Sequence, residues 1–278
     1  LYGVDVTLTN RTKLSKDLVM QHSGVFGFSR NRQIEIREAA GTYNVPQFRR
    51  TGLPSSQLRG YKSAGLFKDQ ADIDSWAYQN SSVLPGDIKY VDMNGDGKIN
   101  SEDQVVIGRT RVPEIMFGYN LGITYRQFDL GLFIQGAANS DYYLGYGSDG
   151  ASGDRGVRFP FENDKPLKDH ANSWSIDNQD PNAKFPRLSV TKRTHNYEVS
   201  DFWTVNSAYV KLKSLQIGYN FNPELTRKVF MKQVRAYANC YNLWTIYSAM
   251  PKDFDSENQA YNVYPQQFIV SFGLNVTF

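Results

Sequence analysis

The chain has 278 residues, in which 31 Lys and Arg stand against 28 Asp and Glu, so its formal net charge is only +3. That is too little for a protein that binds nucleic acid through its overall field. Hydrophobic residues at 40% and charged residues at 21% describe an ordered chain, yet no apolar run approaches the roughly 18 residues of a membrane-spanning helix.

Cys240 is the single cysteine, and the three histidines His22, His170 and His195 are scattered, so neither an internal disulfide nor a zinc spacing is available. Leu1 is followed by no basic and apolar leader and reads as a cut into a longer chain. In chain order, Tyr2, Val4, Val6 and Leu8 alternate with polar or small residues, the period of a half-buried strand. Residues 10–50 then read as basic and irregular, and residues 52–113 as a long loop rich in Gly, Pro, Asp, Asn and Ser. A tight hairpin follows. Phe117, Tyr119, Leu121, Ile123 and Tyr125 share one face, Phe128, Leu130, Leu132 and Ile134 continue it, and only Arg126 and Gln127 separate the two runs.

A second long loop covers residues 139–200. Leu215, Ile217, Tyr219 and Phe221 resume the alternation, and residues 223–232 predict a short connecting helix with Asn222 as cap and Pro223 in the first turn. Residues 234–247 are strand-like but less regular. The chain closes on Phe268, Val270, Phe272, Leu274, Val276 and Phe278, alternating with Ile269, Ser271, Gly273, Asn275 and Thr277.

Phe, Tyr and Trp reach 14%, more than a core alone needs. One face of the strands ending in Tyr125, Ile134 and Phe278 has no charge, as lipid requires, since a mid-membrane Lys or Arg costs roughly 2–4 kcal/mol. The other face offers Asn, Gln, Asp, Ser, Thr and Gly, which suits a wet or plugged lumen, and a mean hydropathy of −0.51 is compatible with that division. Strands of about ten alternating residues, with short turns at one end and long loops at the other, predict an all-β fold: an outer-membrane β-barrel. A soluble sandwich or jelly roll also alternates and is the competing reading.

Several motifs then resemble one family. Gly60-Tyr61-Lys62-Ser63-Ala64-Gly65-Leu66-Phe67 comes first, then Pro85-Gly86-Asp87-Ile88-Lys89-Tyr90 running into Asp92-Met93-Asn94-Gly95-Asp96-Gly97-Lys98-Ile99, then Gly118-Tyr119-Asn120-Leu121-Gly122 with Phe128-Asp129-Leu130. Phe185-Pro186-Arg187-Leu188, Tyr209-Val210-Lys211-Leu212-Lys213-Ser214-Leu215, Asn242-Leu243 and the closing Gly273 to Phe278 follow in order. The set resembles the SusC/RagA-type TonB-dependent outer-membrane transporters of Bacteroidota, over the C-terminal part of their barrel. The resemblance implies a barrel of about 22 strands around a plug, of which this chain would supply about eight to ten, the whole of residues 1–278 being one barrel segment. Signal sequence, TonB box and plug would lie upstream. It implies uptake of oligosaccharides or peptides, a SusD-like surface lipoprotein as partner, coupling to TonB–ExbB–ExbD through the upstream part, a place in outer-membrane lipid, and Phe278 as the terminal assembly signal.

The sharpest local motif spans residues 92–103. Asp92, Asn94, Asp96, the Lys98 carbonyl, Asn100 and Asp103 occupy the ligand positions of a calcium loop, with Gly97 at the turn. The expected cofactor is therefore Ca2+, in a dockerin-like site because Asp103 is shorter than the usual Glu. The other reading is a self-bonded Asn-Gly-Asp-Gly turn. Loop aromatics Trp76, Tyr78, Tyr142, Tyr143, Tyr146, Trp174 and Trp203 are candidates for stacking on a ligand, with loop packing or an interface girdle as the plainer role. No nucleophile elbow, metal-binding His pair or phosphate loop occurs, and Asp253 and Asp255 read as solvated charges, so no enzyme is expected. Nutrient import leads; the reading from another class is a secreted β-rich binding module with a calcium loop and no transport role.

Overall fold

The computed structural model describes residues 1–39, 41, 48–144, 168–189, 194–252, 254–257, 264 and 266–278. Its strands in chain order are β1 (Tyr2–Lys13), β2 (Leu18–Arg30), β3 (Arg59–Gly60), β4 (Ser63–Leu66), β5 (Ile88–Tyr90), β6 (Val105–Val106) and β7 (Ile115–Tyr125). They continue with β8 (Phe128–Ala138), β9 (Asp141–Tyr143), β10 (Thr204–Asn206), β11 (Tyr209–Asn220), β12 (Gln233–Ser248) and β13 (Ile269–Thr277). Seven of them form one sheet in the order β1-β2-β7-β8-β11-β12-β13, with every neighbouring pair antiparallel. The sheet is open, its edges being β1 and β13, and among the described residues the expected eight to ten wall strands are seven.

The hairpin forms where the sequence places it, with Tyr125 opposite Phe128. Strand β2 lies in the stretch that reads as irregular. Gly24 interrupts its apolar alternation and His22 stands on its apolar side, yet it pairs along its length with β1 and with β7. The connections segregate: those after β1, β7 and β11 are short and lie at one end, while those after β2, β8 and β12 are long and lie at the other.

Register carries the side-chain pattern across the whole sheet. One row runs Asn10, His22, Leu121, Leu132, Leu215, Cys240, Val270, and the next Thr12, Met20, Ile123, Leu130, Ile217, Ala238, Phe272. Neither contains a charge. The row between them, on the opposite face, runs Arg11, Gln21, Gly122, Gly131, Gln216, Asn239, Ser271.

The irregularity of β12 lies in its own bulges. Against β11 it sets Asn242 and Leu243 opposite the single Lys213 and inserts Ile246 between the partners of Val210 and Lys211; Asn242 takes φ +52°, and Lys213 is in turn an extra residue against β8. The helix of residues 223–232 is shorter than expected, Pro223–Arg227, and Asn222 caps it by accepting the Glu224 N–H.

The hydrophobic core is not in the wall. It lies among the long connections, where Tyr61, Leu66, Ile88, Tyr90, Tyr142, Leu144, Trp174, Phe185, Trp203 and Met250 form one buried cluster. These connections carry three short strand pairs, β3 with β6, β4 with β5 and β9 with β10. They form a folded layer over one end of the sheet rather than structureless loops.

Candidate functional site

The loop layer is tied together at one carboxylate. Gly86, at φ +85°, turns the chain tightly, and a Cβ there would stand 2.3 Å from the Trp174 ring, so glycine is required on both counts. The turn delivers Asp87 into full burial. Its Oδ1 accepts from Arg187 Nε and from Asn196 Nδ2, each at 2.9 Å; its Oδ2 accepts the Leu84 N–H at 2.8 Å and lies 2.8 Å from His195 Nε2. Asn196 returns the contact, its Oδ1 accepting the Ile88 N–H at 2.9 Å, and its carbonyl accepts from Trp203 Nε1 at 3.0 Å. Burial works to raise the Asp87 pKa, but His195, the Leu84 N–H and Asn196 outweigh it and hold the carboxyl below its ordinary value. Three motifs far apart in sequence, residues 85–90, 185–188 and 194–197, thus meet at one ion. Sequence reading quoted two of these segments but had no signal for the contact between them.

The aromatic candidates divide by burial. Tyr142, Trp174 and Trp203 are buried members of the core cluster, so they pack the loop layer instead of offering faces to a ligand. A connection of this length must bury apolar surface of its own, and the largest rings do so first. Tyr143 is half-buried, with its hydroxyl donating to the Glu198 carbonyl at 3.4 Å. Trp76 is anchored by Nε1 to the Tyr90 carbonyl at 2.7 Å and carries Lys89 Nζ 3.9 Å above its ring. Tyr78 is exposed at 60%, the one clear platform among the described candidates. Tyr146 lies outside the described residues.

The loop of residues 92–103 closes on its own backbone. Asp92 accepts the N–H groups of Gly95 and Gly97 at 2.7 and 2.8 Å, which hold its pKa below the ordinary value. Asn94 accepts from Asp96 N at 3.0 Å and Asp96 from Lys98 N at 2.8 Å. Asp103, fully buried, accepts from Met93 N and Asn100 N at 2.8 Å each, and with Asn100 forms a capping box on a short 3-10 turn. Each carboxylate is therefore satisfied singly, and mutual repulsion does not oblige a cation to be there. Among the described residues no three His, Cys, Asp or Glu side chains converge as a metal-holding group. Asp92, Asn94 and Asp96 keep the oxygen donors calcium prefers, at the exposed tip of the loop.

Two further features escaped the sequence. On the polar face of the sheet a trough of about 280 Å3 is lined by Gln21, Ser23, Asn120, Ser214 and Gln216. Its floor is low because Gly122 stands opposite Gly131, a pairing the two-residue turn at Arg126 and Gln127 already implies. The second is a clamp. Lys211 Nζ meets Asp255 Oδ1 at 2.9 Å and Glu257 Oε2 at 3.1 Å, while the bulge residue Lys213 reaches Glu257 Oε2 at 2.8 Å and Asn242 Oδ1 at 2.6 Å. Asp255 is therefore no solvated charge. Burial would raise its pKa, but Lys211 and the N–H groups of Glu257 and Gln266 hold it down to about 2. Asp253 lies outside the described residues.

No protein-family model matches the chain. It is 25% identical to the TonB-dependent receptor P3 of Formosa agariphila over 99% of this chain and 28% of that receptor. It is 26% identical to the TonB-dependent receptor P26 of the same organism over 79% of this chain and 22% of that receptor. The fold is similar to that of the RagAB peptide transporter, with a TM-score of 0.71 at 20% identity over 99% of this chain and 29% of the solved one. It is also similar to the RagAB peptide importer in its closed-closed state, at TM-score 0.69. The resemblance to TonB-dependent transporters carried by the motifs is thus borne out along nearly the whole chain, which spans about 28% of the length of P3.

Proposed function

We propose that this chain is a C-terminal wall segment, with its surface loop layer, of a TonB-dependent transporter that imports oligosaccharides or peptides across the outer membrane. The observation that carries the reading is the apolar face of the seven-stranded sheet. Apart from Arg30 at the loop end of β2, opposite Tyr2, its paired rows carry no charge, nothing among the described residues covers it, and all long connections leave from one end. A soluble binding module would need a second layer on that face. Lipid is the cover that demands no partner of its own.

On this reading the sheet continues into a closed barrel of about 22 strands, with β1 and β13 pairing to strands outside this chain. The short turns, Arg126–Gln127 among them, face the periplasm and the loop layer faces outside. The polar face is lumenal. Gln21, Ser23, Asn120, Ser214 and Gln216 present uncharged donors and acceptors to hydroxyl or peptide groups, contacts weak enough to be exchanged as cargo moves. The loop layer, made rigid at Asp87, is the surface we propose for a SusD-like lipoprotein; coupling to TonB–ExbB–ExbD belongs to the part outside this chain. Phe278 is proposed as the assembly signal, and its deletion should lower the amount of heat-modifiable folded barrel. For residues 92–103 we propose a structural calcium ion on Asp92, Asn94, Asp96, the Lys98 carbonyl, Asn100 and Asp103, supported by that donor set.

Fractionation of the full transporter tests the central reading: extraction from outer membranes only by detergent is expected, and a freely soluble monomer would overturn it. For the lumen, Gly122→Leu with Gly131→Leu fills the trough floor. Uptake should then fall with the barrel still folded, and unchanged uptake would remove the trough from the path.

A further inference from the structure

At the short-turn end, the connection between β11 and β12 is built against the usual rules. Its helix, Pro223–Arg227, ends with the Met231 N–H donating to the Thr226 carbonyl and the Phe230 N–H to the Arg227 carbonyl, each at 3.1 Å. These are the two crossed bonds of a Schellman close, whose left-handed position is normally glycine. Here it is Phe230, at φ +61°, a strained backbone for a bulky L residue. The ring gains little among the described residues, because Phe230 is 89% exposed, with Leu225 at 61% and Val229 at 57% beside it in sequence. Residues 223–232 also hold Arg227, Lys228 and Lys232 against the single acid Glu224. The apolar wall runs up to this turn: Phe128 packs on Tyr219 at 4.9 Å between ring centres, and Tyr219 on Phe221 at 5.1 Å.

We propose that residues 223–232 form a foot seated in the inner leaflet of the outer membrane. Leu225, Val229 and Phe230 insert among acyl chains, and Arg227, Lys228 and Lys232 meet the phosphates of anionic phospholipids. The inference rests on the barrel reading, which places short turns at the periplasmic leaflet. Exposed apolar side chains beside several cations make the composition of an interfacial anchor, and insertion supplies the compensation that the strained, uncovered Phe230 otherwise lacks. An aqueous turn would take glycine at that position and gain both conformational ease and solubility.

The test uses the full transporter, freed of other reactive cysteines including Cys240, in vesicles of phosphatidylethanolamine with or without phosphatidylglycerol. A nitroxide is placed by Phe230→Cys, by Val229→Cys, by Phe272→Cys on the apolar wall, or by Ser101→Cys in the exposed loop. Collision with oxygen, which partitions into lipid, is compared with collision with a water-soluble nickel complex. Labels at 229 and 230 should favour oxygen several-fold, as the 272 label does, and should move deeper when phosphatidylglycerol is present. If 272 reports lipid while 230 matches the aqueous 101 label, the foot is overturned and the barrel reading stands. If 272 is also aqueous, the barrel reading itself fails. Phe230→Gly suits the Schellman turn better than the native residue, so it should fold. With it, the 229 label should shift toward water; an unmoved label would overturn the role given to Phe230.

Discussion

Ile217, in the middle of β11, is 52% exposed although nine-residue or longer strands flank it on both sides, whereas Ile88, on a strand of three residues, is completely buried. The long, regular strands thus leave their apolar side chains uncovered, and the short, irregular ones hold the only buried apolar cluster among the described residues. The wall is held by continuous backbone pairing and owes the rest of its stability to what surrounds it. The loop layer behaves as a small globular domain, with stacked Tyr61 and Tyr90 and a buried ion at its centre. On the barrel reading proposed above, the two regions face two solvents, and a perturbation aimed at one should leave the other standing.

The strongest break should come at Asp87. Asp87→Ala strands the guanidinium of Arg187 and the amide of Asn196 without their acceptor; removing one partner of a buried pair costs about 3–5 kcal/mol. Hydrogen exchange should then rise across residues 61–90, 185–189 and 194–203 while β7, β8 and β11 stay protected. Equal loosening of the wall would mean the two regions are one cooperative unit.

Ile217→Arg addresses the wall in turn. At the bilayer midplane it should cost about 2–4 kcal/mol and reduce the folded barrel recovered from the outer membrane, whereas a half-exposed site on a water-soluble sheet would tolerate it within about 0.5 kcal/mol. The loop layer should keep its protease resistance in whatever barrel does fold.

The clamp between the regions should be smaller and pH-dependent. Asp255 has a folded pKa of about 2, below its ordinary 3.8, so its contribution is fully present above about pH 4 and is lost as pH falls toward 2. The shift corresponds to about 2 kcal/mol or less. Asp255→Asn should loosen residues 254–257 at neutral pH, and the difference from the native chain should vanish near pH 2, as read by exchange quenched across that range.

The same contrast explains what was legible beforehand. In the hairpin at Arg126 and Gln127, period-two alternation and a two-residue turn suffice, because strand pairing there is local and register follows from the turn. Strand β2 was illegible because His22 and Gly24 occupy apolar-face positions, tolerable where neighbouring strands supply the pairing. The loop layer's strands are too short to show a period. Its contacts, such as Asp87 with Asn196, join residues 109 apart in sequence, so the sequence leaves ligand stacking open beside the plainer packing role for Trp174 and Trp203, which are core. Asp255 looked solvated because its partner Lys211 sits on a strand 44 residues away.

The smallest expected effect concerns calcium, and it asks whether the loop layer depends on an ion at all. Asp92 and Asp96 already accept backbone N–H groups of their own loop, so the turn exists without metal, and binding can add only what the ion gains over that closed state. Weak extracellular sites bind at about 10⁻⁴ to 10⁻³ M, which at about 2 mM calcium stabilises the bound form by about 0.6–1.8 kcal/mol. Titration of the full transporter with calcium should raise exchange protection within residues 92–103 by that amount and leave the wall unchanged. Asp92→Ala combined with Asp96→Ala should abolish the response. Asp103→Ala is the informative contrast. That carboxylate also caps the 3-10 turn and holds Met93, so its loss should loosen the loop even in chelator, where the double variant loses only its own backbone bonds. Protection indifferent to calcium in the native chain would leave residues 92–103 as a self-bonded turn, held by Asp103 in the manner of the rest of the loop layer, through buried hydrogen bonds rather than a bound cation.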